Sequence, residues 1–323
     1  MTNSHAFKDF FETYDCLTIT GPTGVGKTGL AIALSNQWPI EIISMDSALV
    51  YQGMDIGTAK PTKLELAQVP HHLIDIRTPL QAYNAAEFAT DATRLIKQVR
   101  SKNKLPVIVG GTLLYFKALF EGLNDLPQTQ PHVREEINAE AAQLGWPAMH
   151  KVLKQIDPPT ANRLPPSDAQ RISRALEVWR ISGKPMSSYF LNRTPVELNN
   201  KLISLEPKDR SWLHNRLELR FKEMVKEGLI DEVRGLKEDP NLHASLPSMR
   251  CVGYRQIWNA LEENEKLTDE LLTSIHNTGV AATRQLAKRQ LTWLRGMSER
   301  VVIECDKENG SQIQTDLFTI LKI

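Results

Sequence analysis

Apolar residues in the first third of the chain fall in short unbroken runs: Cys16–Thr20, Ile40–Ser44 and Val107–Val109, each closed by loop-forming residues. Continuous runs of this length read as strands covered on both faces. Between them, Gly29–Gln37 and Ala85–Ser101 carry helical spacing. The alternation predicts an α/β fold, a parallel sheet wrapped by helices. Ligands of such sheets sit outside the carboxyl ends of the strands. The loops Gly21–Thr28, Met45–Leu49 and Gly110–Thr112 should therefore open on one crevice.

The texture changes near Asn124. Pro127, Pro131, Pro147, Pro158, Pro159, Pro165 and Pro166 interrupt short helical patterns rich in Glu, Gln and Arg. Residues 126–200 read as a helical insertion between two parts of a core, 1–125 and 201–323. Leu202–Leu205 looks like a strand returning to the sheet, followed by helices to about Ser298. The segment after Val301 is expected to be short and peripheral.

Gly21, Pro22, Thr23, Gly24, Val25, Gly26, Lys27 and Thr28 fit G-x-x-x-x-G-K-[ST] at every fixed position, between a strand and a helical pattern. Such a P-loop lets successive backbone N–H groups converge on phosphate oxygens, helped by the helix N-terminus. Lys27 adds a point charge, and the Thr28 hydroxyl is placed to ligate magnesium. The expected fold is thus a P-loop NTPase-like sheet with a helical insertion, and the expected ligand a diphosphate or triphosphate.

The chain of 323 residues carries a formal net charge of +1, so a polyanion would have to meet local clusters rather than a global field. Cys16, Cys251 and Cys305 lie far apart, which argues against structural zinc and suits a reducing cytosol. No apolar stretch reaches the roughly 18–20 residues of a membrane span. A cytoplasmic location and a monomer are the expectations, with no protein partner implied.

Asp46 follows the second strand and should face the crevice, where a carboxylate could accept a proton or hold magnesium through water. A turn or N-cap aspartate is the alternative. The third strand ends in Gly110-Gly111-Thr112, where nucleotide hydrolases usually place a metal-binding aspartate. Asp75 is the nearest imitation, inside a run of weak β character. A phosphate loop without the hydrolytic apparatus hints at a transferase with pyrophosphate as leaving group.

Basic residues concentrate late in the chain. Arg284, Lys288, Leu291 and Arg295 share a helical stripe, with Leu286, Trp293 and Met297 expected to be buried on the opposite face. Arg250–Arg255 combines cations with Tyr254, an aromatic able to stack on a base. Ser167–Gln170 reads as a capping box opening a helix with Arg171 and Arg174. Arg216 and Arg220 line one side of another helix. These patches suggest a polyanion docking against defined surfaces.

Together these segments resemble the tRNA dimethylallyltransferases (tRNA isopentenyltransferases) of bacterial type. The resemblance rests on Gly21–Thr28, Asp46–Tyr51 with Gly53–Pro61, His71–Asp75, Val109–Tyr115, Asp168–Arg171, Arg250–Arg255 and Thr283–Arg295. It implies magnesium-assisted attack of the N6 amine of the adenosine just 3′ of the anticodon on C1 of dimethylallyl diphosphate. Asp46, Thr112 and Lys27 would be catalytic, and the P-loop with Arg220 would hold the diphosphate. tRNA contacts would come from Asp46, Ser47, Ala48, Leu49, Thr112 and Arg134. Gln170, Arg171, Ile172, Ser173 and Arg174 would add to them from the insertion. Arg250, Cys251, Val252, Gly253, Tyr254 and Arg255 would form a further surface. The last would be Lys288, Arg289, Gln290, Leu291, Thr292, Trp293, Leu294 and Arg295. Leu49 stands where many members carry Gln, so an amide contact to RNA is not implied there. Two rival readings share the P-loop: a small-molecule kinase with the insertion as lid, and a nucleotide-gated RNA-binding module without chemistry.

Overall fold

The computed structural model describes residues 2–124, 126–190, 197–264, 266–306 and 310–323. Cys16–Thr20 (β1), Ile40–Ser44 (β2), His71–His72 (β3), Leu105–Val109 (β4), Asn200–Glu206 (β5) and Val301–Glu304 (β6) form its sheet. All neighbours pair in parallel, in the order β3-β2-β4-β1-β5-β6. Every residue of β1, β2 and β4 is buried, which is why these strands read as unbroken apolar runs.

The pleat divides the strand residues between two cores. Leu17, Ile19, Ile40, Ile42, Val107, Val109, Ile203 and Leu205 join one, with Leu30 and Leu34 of the helix Lys27–Ser35. Cys16, Ile43, Ile108 and Leu202 point the other way, toward Phe88, Leu95 and Ile96 of the helix Ala85–Arg100. That helix begins at a capping box in which Asn84 and Glu87 satisfy each other's backbone N–H groups.

The chain leaves β1 for β2 on one side of the sheet and leaves β4 for β5 on the other. The direction therefore switches between β1 and β4, and a crevice opens at their carboxyl ends. The loops there are knitted together. Met45 N–H donates to the Val109 carbonyl at 2.8 Å, Thr112 N–H to that of Met45 at 3.2 Å and Gly110 N–H to that of Ile19 at 3.3 Å.

The stretch beyond Val301 departs from expectation. It supplies the edge strand β6, and Ile303, Cys305, Leu317 and Leu321 are buried in the core. Its polar outward positions concealed this, because a short edge strand buries only alternate residues.

The chain forms two compact units, one over Met1–Phe120 and Glu197–Ile323, the other over Glu121–Val196. The second has its own core, in which Val133, Ile137 and Ala141 meet Met149, Leu153, Ile172, Ala175 and Leu176. Pro131, Pro147 and Pro158 stand in the first turns of its helices, where a missing N–H costs nothing. Its helix Ala169–Ser182 is capped by Asp168, which accepts from the Arg171 N–H at 3.1 Å. Asp168 thus takes the capping role expected of Ser167; its carboxylate reaches the same turn from one residue further on.

Candidate functional site

The P-loop bridges β1 and the helix Lys27–Ser35, with Gly24 and Gly26 at positive φ. Two anchors hold it: Arg216 donates through Nε to the Gly24 carbonyl, and the Gln290 side chain accepts from Thr23 N–H at 2.9 Å. Lys27 is folded onto the loop, Nζ donating to the Pro22 carbonyl at 2.8 Å. Burial pushes its ammonium down to about 8, opposed by the Asp46 carboxylate and reinforced by the Arg220 charge. Burial also lowers Arg220, again with Asp46 opposing. Lys27, Arg220 and Asp46 thus share one electrostatic neighbourhood.

Asp46 lies two residues beyond β2. Its Oδ1 accepts from Ala48 N–H at 2.9 Å, a local turn that fixes the carboxylate. Thr112 reaches the same loop, its Oγ1 accepting from Ser47 N–H at 3.0 Å. A Cβ on Gly110 would lie 2.0 Å from the Met45 carbonyl oxygen, so the two loops touch backbone to backbone at a position only glycine fits. Asp75 is held elsewhere: its carboxylate pairs with Lys60, which also pairs with Asp55. A cleft of about 530 Å³ reaches from Arg220 to Lys60, Asp75 and Glu223.

The remaining candidate residues divide by exposure. Lys288, Arg289 and Arg295 are exposed on the helix Asp269–Leu294 and its C-cap, and Arg250 and Arg255, earlier in the chain, are exposed as well. The buried stripe of that helix runs through Val280, Ala287 and Leu294, about 100° round from the face expected. Trp293 is 44% exposed, whereas Leu294 is buried and offers RNA no side chain. Met297, beyond the helix, does pack partly buried against the core, but the stripe at 286 and 293 gives way to one that includes the small residues Gly279, against the Phe221 ring, and Ala287. Arg284 is not a free cation: it pairs with Glu218.

Tyr254 corrects the stacking expectation. It is fully buried, and its hydroxyl donates to Glu232 Oε1. The Glu232 carboxylate also accepts from Asp55, Ile56 and Gly57 N–H at 2.9, 2.9 and 3.2 Å. Gly253 is buried too, leaving Arg250 and Arg255 as the exposed part of this motif. In the second unit Gln170 and Arg171 are exposed, while Ile172 and Ser173 face its core. Arg134 and Arg174 both pair with the buried Glu177. The resemblance implies an RNA contact at Gln290; in the structure its amide bonds to the Thr23 N–H and the Gly111 carbonyl.

A P-loop sequence and an aspartate-bearing loop at the carboxyl ends of one parallel sheet, with Gly110-Gly111-Thr112 closing β4, mark an α/β fold built around a phosphate-binding motif. Comparison with known proteins narrows it. Residues 49–297 match the family model described as IPP transferase, and the chain belongs to that family. It is 55% identical over 305 residues to the tRNA dimethylallyltransferase of Acidovorax ebreus, covering 91% of this chain and 93% of the relative. The corresponding Bordetella pertussis protein is 53% identical over 293 residues, with coverages of 90% and 92%. Among solved structures, the tRNA isopentenylpyrophosphate transferase of Bacillus halodurans is similar with a TM-score of 0.69 at 33% identity, covering 95% of each chain.

Proposed function

We propose that this chain transfers the dimethylallyl group of dimethylallyl diphosphate to N6 of the adenosine 3′-adjacent to the anticodon of tRNA, releasing diphosphate. The observation that carries the reading is the meeting of the P-loop, the Asp46 turn and the Gly110–Thr112 loop at one crevice. The acceptor class assigns the reaction to the cytoplasm. Among the described residues, no helix is long and apolar enough to cross a membrane.

In this reading the P-loop N–H groups, Lys27 and Arg220 bind the donor diphosphate and stabilise the charge that grows as the C1–O bond breaks. The N6 amine forms the new bond to C1. Its proton passes to the Asp46 carboxylate, which the Ala48 N–H holds in place. Thr112 orients the Ser47 side of the acceptor loop. The Thr28 hydroxyl is a hard oxygen donor that, with diphosphate oxygens and water, would suit a magnesium ion, which the Asp46 carboxylate would reach through water. Such an ion would supply further neutralisation of the leaving group. The adenosine must leave its stack to reach C1, at a cost of a few kcal/mol.

The exposed cations Lys288, Arg289, Arg295, Arg250 and Arg255 are the proposed contacts of the first unit to the tRNA, and Gln170 and Arg171 are those of the 121–196 unit taken by itself. A small-molecule kinase would have no use for them. The test is incubation with unmodified tRNA and labelled dimethylallyl diphosphate while ATP consumption is followed. Label transfer without ATP consumption is expected; ATP turnover without transfer would favour the kinase.

A further inference from the structure

Gln290 makes a pair of contacts that its surroundings in the sequence do not suggest. Its Oε1 accepts from Thr23 N–H at 2.9 Å, and its Nε2 donates to the Gly111 carbonyl at 2.9 Å. One side-chain amide therefore joins the P-loop to the loop after β4. A primary amide offers both an acceptor and donors, so it satisfies a backbone N–H and a backbone C=O together. The space is tight as well: a Cβ on Gly111 would lie 2.3 Å from Gln290 Nε2 and 3.2 Å from the Gly21 carbonyl oxygen. Glycine at 111 is what allows the amide to enter.

These two loops are the two walls of the crevice. Arg216 holds the P-loop at Gly24, and Gln290 holds it one residue earlier, at Thr23. Without the amide, the Thr23 limb would be tied to neither the β4 loop nor the helix Asp269–Leu294 through this side chain. A phosphate cradle works only if its N–H groups are already aimed when the ligand arrives.

We propose that Gln290 is a positioning residue that clamps the donor loop against the Gly110–Thr112 loop, rather than a contact to RNA. This rests on the P-loop being the site of the diphosphate donor. Loss of two neutral, half-buried hydrogen bonds should weaken the cradle by about tenfold.

Gln290→Met keeps the side-chain length and removes both hydrogen bonds. Gln290→Glu keeps the acceptor for Thr23 but sets a carboxylate oxygen against the Gly111 carbonyl. Gln290→Asn keeps the chemistry but is one methylene too short to span both loops. The probe is inorganic pyrophosphate with magnesium, titrated calorimetrically into the full chain without tRNA, with Lys27→Ala as reference. We expect all three Gln290 variants to bind pyrophosphate about tenfold more weakly, with tRNA affinity within twofold of wild type. In turnover the donor KM should rise about tenfold while kcat falls less than threefold. Wild-type pyrophosphate affinity in Gln290→Met, beside a loss in Lys27→Ala, would overturn the clamp and leave the donor site standing. Wild-type affinity in Lys27→Ala as well would remove the donor site from the P-loop, and both readings would fall. Weakened tRNA binding with normal pyrophosphate binding would make Gln290 an RNA contact and also overturn the clamp.

Discussion

The ammonium of Lys27 is the group whose titration most directly reports on the donor site. Burial lowers it from an ordinary 10.5 to about 8, and the nearby Asp46 carboxylate limits the fall. For a lysine, a folded-state value below the unfolded one disfavours the charged form. The cost is present in full below about pH 8 and fades as pH rises toward 10.5. The difference corresponds to roughly 3 kcal/mol in the donor-free protein. A bound diphosphate should relieve that cost, since its negative charge favours the ammonium. Donor binding near pH 9 should therefore take up a proton.

A group titrating at about 8 is some nine-tenths protonated at pH 7 and one-tenth at pH 9. If only the ammonium form binds donor well, affinity should fall about tenfold across that span. The donor itself adds little slope, because the last phosphate ionisation is near pH 6. Calorimetric titration of dimethylallyl diphosphate from pH 6.5 to 9.5 gives the profile without depending on turnover. In Asp46→Asn the supporting carboxylate is gone, so the break should move to lower pH. Lys27→Arg should abolish the break, since arginine stays protonated throughout. A flat wild-type profile, or a break displaced upward in Asp46→Asn, would refute the placement of Lys27 between Asp46 and the diphosphate.

Asp46→Asn should also slow single-turnover transfer by about 10²–10⁴-fold while leaving tRNA affinity nearly unchanged; a rate within a few-fold of wild type would remove Asp46 as base. Neutralising Lys288, Arg289 and Arg295 should lower tRNA affinity and flatten the slope of log affinity against log salt. An unchanged slope would mean that this face is only solvated. Glu232→Ala leaves the buried Tyr254 hydroxyl and three backbone N–H groups without their carboxylate, and should cost about 3 kcal/mol in urea unfolding. A loss below about 1 kcal/mol would show that water replaces it.

The central strands and the P-loop could be read from sequence because their signals are local. β1, β2 and β4 are buried on both faces, and their ends are marked by glycine or polar loops. β3 escaped notice because two histidines carry no apolar run, and β6 because an edge strand buries every second residue at most. Asp46 was legible from its place just after a strand. Tyr254 was not, because an aromatic between cations looks the same whether it stacks on a base or fills a core. Only the fold reveals that Glu232 meets its hydroxyl. Gln290 is the extreme case, joined to partners 267 and 179 residues away.

The glycine pair after β4 explains how a P-loop sheet can serve alkyl transfer to a large acceptor. In a nucleotide hydrolase, an aspartate at that position would project a carboxylate to hold the metal. Here the same position carries no side chain, and the Met45 backbone occupies the space a Cβ would need. The Asp46 turn is thereby drawn against the β4 loop, and Thr112 can reach Ser47. The next glycine leaves room for the Gln290 amide, which ties in the P-loop. Two missing side chains thus bring the proposed base and the proposed donor cradle to one point. Gly110→Ala should consequently be more damaging than an ordinary loop substitution. Its Cβ would have to displace the Met45 carbonyl, which accepts the Thr112 N–H, and so would part the Met45–Ser47 loop that carries Asp46 from Thr112.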